Sequence, residues 1–128
     1  MHPDGTPFKS NYMKNSRKHT LRTALKCASI EIAFRRNSIS RKNLHIDYEF
    51  GLGTRYRIHD DVIFIADAIK AGLNVYYEPI PIVIHPLESS GTLYNRALVQ
   101  SKGAAFYRIY GKWAYMVDIA FAIVKYKG

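Results

Sequence analysis

Apolar and polar positions alternate most regularly over residues 29–35, where Ile30, Ile32 and Phe34 are separated by Glu31, Ala33 and Arg35. A period of two predicts a half-buried strand there. The period lengthens over residues 60–71. Val62, Ile65, Ala66 and Ile69 recur at three- and four-residue spacings, which predicts a helix with one stripe facing a core. Asp60 and Asp61 suit the positive end of its dipole and can cap free amides, and Gly72 closes it as a left-handed C-terminal residue. Residues 73–77 then read as a strand, Glu78-Pro79 as a turn, and residues 80–85 as a second strand ending at Pro86. A helix is expected over 93–100, and residues 103–127 read as helical in two parts split near Gly111.

The rest of the chain is less periodic. Residues 1–20 hold Pro3, Gly5 and Pro7 and read as loop, residues 21–26 admit a short helix, and residues 36–43 a short polar helix or turn. Residues 44–56 form a loop in which Gly51 and Gly53 allow backbone angles that a side chain would forbid. Three segments result: a basic polar stretch over 1–24, a strand-and-helix unit over 25–92, and a helical segment over 93–128.

At 128 residues the chain is about one small domain, and 48% apolar with 23% charged residues excludes a disordered tail. The formal charge of +9 is concentrated early: residues 1–42 carry ten basic and two acidic residues, the remainder nine and eight. A cationic third is either a solvated face or an attraction for phosphate on a nucleotide, a nucleic acid or a membrane. The ten tyrosines lie mostly outside it, so rings and cations are poorly interleaved and nucleic acid is the weakest of these partners. A single cysteine, Cys27, cannot form an internal disulfide, which sets a reduced, cytosolic expectation and makes Cys27 a small core residue rather than a nucleophile. The polar first ten residues lack the apolar run of a secretory signal.

The most informative chemistry is His59-Asp60-Asp61, where a glycine-containing loop meets a helix start. Adjacent helical residues point about 100° apart, so the two carboxylates cannot share one task. One can cap or bind a cation while the other projects in front of the helix as a general base; capping alone would also account for the pair.

The segment Asp47-Tyr48-Glu49-Phe50-Gly51-Leu52-Gly53 leads to this acidic pair. Then come the apolar helix, Gly72, an extended stretch, Pro79 and Ile82-Val83-Ile84-His85. In order and spacing this set resembles the acceptor-side half of family 2 glycosyltransferases, enzymes of the GT-A fold. Pro86-Leu87-Glu88-Ser89-Ser90-Gly91 and Lys102-Gly103-Ala104 are similar to its bacterial members, and the resemblance covers roughly residues 25–112. It implies an α/β fold: an incomplete GT-A, nucleotide-diphospho-sugar transferase-like C-terminal half with a few strands, a central helix and C-terminal helices. It also implies inverting transfer of a sugar from a nucleotide-sugar donor to a hydroxyl of a carbohydrate or lipid-linked acceptor. Such transfer serves polysaccharide or glycolipid synthesis at the cytoplasmic side of a membrane.

By this resemblance Asp61 is the catalytic base. Asp60 stands where the family usually has Glu, and His59 where it usually has Gly. Asp60, Gly53, Ser89, Ser90 and Lys102 become substrate contacts. His85 becomes a ligand for a divalent metal (Mg or Mn) or a contact to diphosphate, against the simpler reading of a histidine at a strand end. In this fold the metal is held by an acidic motif after an apolar strand. Asp47 and Glu49 have its spacing, but the polar residues 43–46 before them do not make that strand. Residues 1–26 likewise lack the alternating strands and helices of a donor-binding half. The expectation is therefore a portion inactive alone, binding no metal of its own and prone to self-association through an exposed strand edge. The alternative is a non-catalytic remnant acting as a protein- or membrane-binding module.

Residues 113–124 are apolar on nearly every side, interrupted by Asp118, and are too few to cross a bilayer, which needs roughly 18. Such a helix is buried in protein or lies in a membrane interface, where flanking Lys112, Lys125 and Lys127 suit anionic lipid.

Overall fold

Helix α3 (Asp60–Lys70) organises the chain, and its end follows from local sequence. Gly72 takes φ +82°, its N–H donates to the Ile69 carbonyl at 3.0 Å, and the Leu73 N–H donates to the Ala68 carbonyl at 3.0 Å. This pair of bonds is the Schellman closure that a glycine at this place predicts. The computed structural model describes residues 1–7, 9, 12–86 and 96–126. Within them α3 packs against α1 (Leu21–Ala24) and α4 (Arg96–Tyr110).

The predicted single stripe is too narrow. Val62, Ile63, Phe64, Ile65, Ala66 and Ala68 are all buried. They are covered from several sides: Ala105 and Ile109 of α4, Phe50 of the preceding loop, and Leu21 and Leu25 at α1 share the core, while Phe34 lies 5.5 Å from Phe64 between ring centres.

The strand expected over 29–35 is not formed. Ser29–Glu31 is a 3-10 turn, because the Glu31 carboxylate accepts the Ala28 N–H at 2.9 Å and the Lys9 ammonium at 2.6 Å, together with the Tyr12 hydroxyl. These bonds fold the segment back on itself, and no neighbouring strand offers it a ladder among the described residues. The short polar helix or turn expected over 36–43 is a helix, α2 (Arg36–Arg41).

The described sheet has two short antiparallel strands, β1 (Arg17–Lys18) and β2 (Tyr76–Tyr77), with Arg17 opposite Tyr77 and Lys18 opposite Tyr76. The His19 N–H extends the pairing to the Val75 carbonyl at 2.8 Å. Thus the strand expected over 73–77 shrinks to two residues, and its partner comes from a stretch that reads as loop. Residues 80–85 are not a strand either. Pro79 and Pro81 have no N–H to contribute to a ladder, and the chain instead engages residue 1. The Met1 ammonium donates to the Val83 carbonyl, and the His85 N–H to the Met1 carbonyl, both at 2.9 Å. Ile80, Ile82 and Ile84 are left exposed.

The C-terminal part differs in one respect. No break separates residue 100 from 103: α4 runs straight through Gly103, and the chain turns at Gly111 (φ +58°) into the 3-10 turn Gly111–Trp113 and then α5 (Ala114–Tyr126). The expected helix start at 93, and Ser89 and Ser90, lie outside the described residues. The described structure is α-rich with one two-stranded sheet.

Candidate functional site

The loop ahead of α3 is tied into a compact shape. The Tyr56 N–H donates to the Glu49 carbonyl at 3.0 Å and the Gly51 N–H to the Tyr56 carbonyl at 2.8 Å, which stacks the Phe50 and Tyr56 rings 4.9 Å apart. Gly51 has φ +106°, and a Cβ there would lie 3.1 Å from Cγ and 3.2 Å from Oδ2 of Asp60. The first carboxylate therefore packs against a glycine, in a place where any side chain on the loop would meet it. Gly53, at φ +83°, sits exposed two residues further on.

Asp61 points elsewhere, as the helical geometry predicts. Its Oδ1 accepts the Val62 N–H at 2.7 Å. The side chain is half-buried, and burial pushes its carboxyl above the ordinary range. The Asp60 charge pushes it further in the same direction, opposed by the Val62 and Ser29 backbone, which favour the charged form. No cation pairs with Asp61 among the described residues. A carboxylate in this state is a stronger base than one on the surface.

Between the loop and the acids stands His59, the N-cap residue of α3, at φ +78° and ψ +13°. This is the left-handed region, which glycine enters freely and other residues at a cost. Its side chain makes no capping bond, and its Nε2 is buried without a partner. Burial, with the charge of Lys102 on α4 and against that of Asp60, lowers its pKa to about 4. The free imidazole near 6.5 thus binds protons more readily in the unfolded chain. Stability is full above that value and is lost as pH falls from about 6.5 toward 4. At pH 5 the loss should be about 2 kcal/mol relative to pH 7. Thermal melts of the wild-type chain and of His59→Gly should show this acid sensitivity in the first and much less in the second. Equal slopes would remove His59 as its source.

Lys102, expected as a substrate contact, lies close enough to His59 for its charge to act on that imidazole. His85, expected as a metal ligand, is engaged by backbone groups. Its Nδ1 lies 2.8 Å from the Pro86 carbonyl, and its own carbonyl lies 3.2 Å from His2 Nδ1. Among the described residues no three His, Cys, Asp or Glu side chains converge to hold a metal ion. Cys27 is half-buried with its thiol 3.8 Å from Nε2 of buried His19, and burial raises its pKa, so it is held as a thiol.

Two features escape the sequence. Arg108 of α4 clamps Asp67 of α3 with a two-pronged fork at 2.9 and 3.2 Å and reaches Asp47 of the loop at 3.0 Å, so one guanidinium joins loop, α3 and α4. Beside it opens a cavity of about 630 Å³ walled by Asp47, Glu49, Tyr56, Tyr107 and Arg108. Gly103 and Ala104 form part of its lining. The small Gly103-Ala104 pair on a helix was the available signal. Asp61 does not line the cavity. Compared with protein-family models, curated proteins and solved structures, the chain matches none.

Proposed function

We propose that this chain is the acceptor-side, C-terminal portion of an inverting family 2 glycosyltransferase of the GT-A fold, with Asp61 as its base. The observation that carries the reading is the state of that carboxyl: half-buried, raised by burial, and without a cation partner among the described residues. The left-handed backbone at residue 59, where the family usually has Gly, adds support, as does the loop that brings Gly51 onto Asp60. In the reaction the acceptor hydroxyl gives its proton to Asp61 while its oxygen bonds the anomeric carbon. The bond from that carbon to the nucleoside diphosphate breaks with inversion. Asp60 positions the acceptor loop, against whose Gly51 it packs. The described residues of this chain do not make a three-ligand set for the divalent metal that the resemblance implies, and no step is assigned to one.

The test is complementation. Alone, the chain should turn over little or no nucleotide sugar. With a donor-binding half supplied in trans, one bearing buried apolar strands and an Asp-x-Asp motif, transfer should appear. Robust transfer by the purified chain alone would overturn the partial-domain reading.

A further inference from the structure

We propose that α5 lays this chain in the plane of an anionic lipid surface, apolar face down. The helix is 13 residues long, about 20 Å at 1.5 Å per residue, against a hydrocarbon core of about 30 Å. No helix among the described residues is long and apolar enough to cross a membrane. It packs against α4 and the turn Gly111–Trp113, with Ala114 buried and Val117 half-buried. The opposite face is apolar and uncovered: Tyr115, Met116, Ile119 and Ile123 each leave half or more of their surface exposed. Steps of about 100° per residue place these four within one arc of about 100°, with Asp118 to its side. Exposed Trp113 stands at the head of the helix, where an indole suits the headgroup level of a bilayer.

Charge selects the occupant. Lys112 precedes the helix and is exposed, and Lys125 and Lys127 follow in sequence, on a chain of net +9. A second copy seated on this face would bring like charge against like charge, whereas an anionic headgroup layer attracts both ends of the helix.

Trp113 is the sole tryptophan, so its fluorescence reports the contact directly. The full chain is mixed with vesicles of phosphatidylcholine, with or without phosphatidylglycerol. Binding by co-sedimentation should be at least about tenfold stronger to the anionic vesicles, with a blue-shifted Trp113 emission. The double variant Ile119→Asp with Ile123→Asp should lose about tenfold or more of that binding, and Lys112→Glu should reduce the preference for anionic lipid. Two results would overturn the proposal. One is wild-type emission and sedimentation that ignore anionic lipid. The other is a dimer in light scattering that the double variant dissociates while vesicles bind neither chain, which would make the face a contact between copies.

Discussion

Asp61→Asn is expected to lower sugar transfer by the complemented enzyme by a factor of about 10² to 10⁴, while raising the melting temperature of the chain by a few degrees at neutral pH. The two effects have one cause. The amide keeps the shape of the carboxyl and an oxygen for the Val62 N–H, which Asp61 Oδ1 accepts at 2.7 Å, but it cannot take the proton of an acceptor hydroxyl. It also removes a charge that burial disfavours. Because the folded-state pKa of Asp61 is raised, the native chain binds this proton more tightly than the unfolded one. Stability therefore falls as pH rises through the interval between the two values, and the penalty is complete above it. The stabilising effect of Asn should accordingly be present at neutral pH and vanish below the ordinary carboxylate range. Rate measurements paired with melts at both pH values check this. An undiminished rate would reject Asp61 as the base. A lower melting temperature at neutral pH would show that its main task is to hold its own backbone.

What was legible in the sequence was what neighbours along the chain decide. The span of α3, its closure at Gly72 and the divergence of Asp60 from Asp61 all depend on residues within two helical turns, and all are found. The chain break at Gly111 is equally local. The strands were not legible because a strand is made by its partner. Ile30, Ile32 and Phe34 alternate well, yet Glu31 between them gathers Ala28, Lys9 and Tyr12 and turns the segment. Tyr76 and Tyr77 find Arg17 and Lys18, which carry no apolar alternation to announce them. At the site, the Arg108 fork joins positions 47, 67 and 108, a coincidence that only the packing of α4 on α3 creates. The buried, unpartnered nitrogen of His59 was hidden for a similar reason, since its burial is made by packing around the N-terminus of α3 and not by neighbours along the chain.

Ile63→Ala should cost about 3 kcal/mol of folding stability, within the range of about 2 to 5 for such truncations. Ile63 has no exposed surface and lies in the cluster formed by Phe50, Val62, Ala66, Ala105 and Ile109. Two of those neighbours are alanines on helices, with no side-chain length to swing into the space left behind. The cavity should therefore persist rather than collapse, which places the cost above simple transfer of the lost carbons. For a domain stabilised by about 5 to 15 kcal/mol the loss is a large fraction of the whole. It should appear in urea titrations as a lower midpoint at unchanged slope. Ile63→Val, which removes one methylene, should cost about 1 kcal/mol. The consequence reaches the chemistry because Ile63 is the first fully buried residue after Asp60 and Asp61 and pins the turn that carries both. In the complemented enzyme the alanine variant should lose transfer activity at temperatures where its fold still holds, as misplacement of a catalytic group by a fraction of an ångström is enough to slow a positioned reaction. A cost below about 1 kcal/mol for the alanine variant would mean that α3 is not held by this core. The aim of Asp61 would then have to be set by something else.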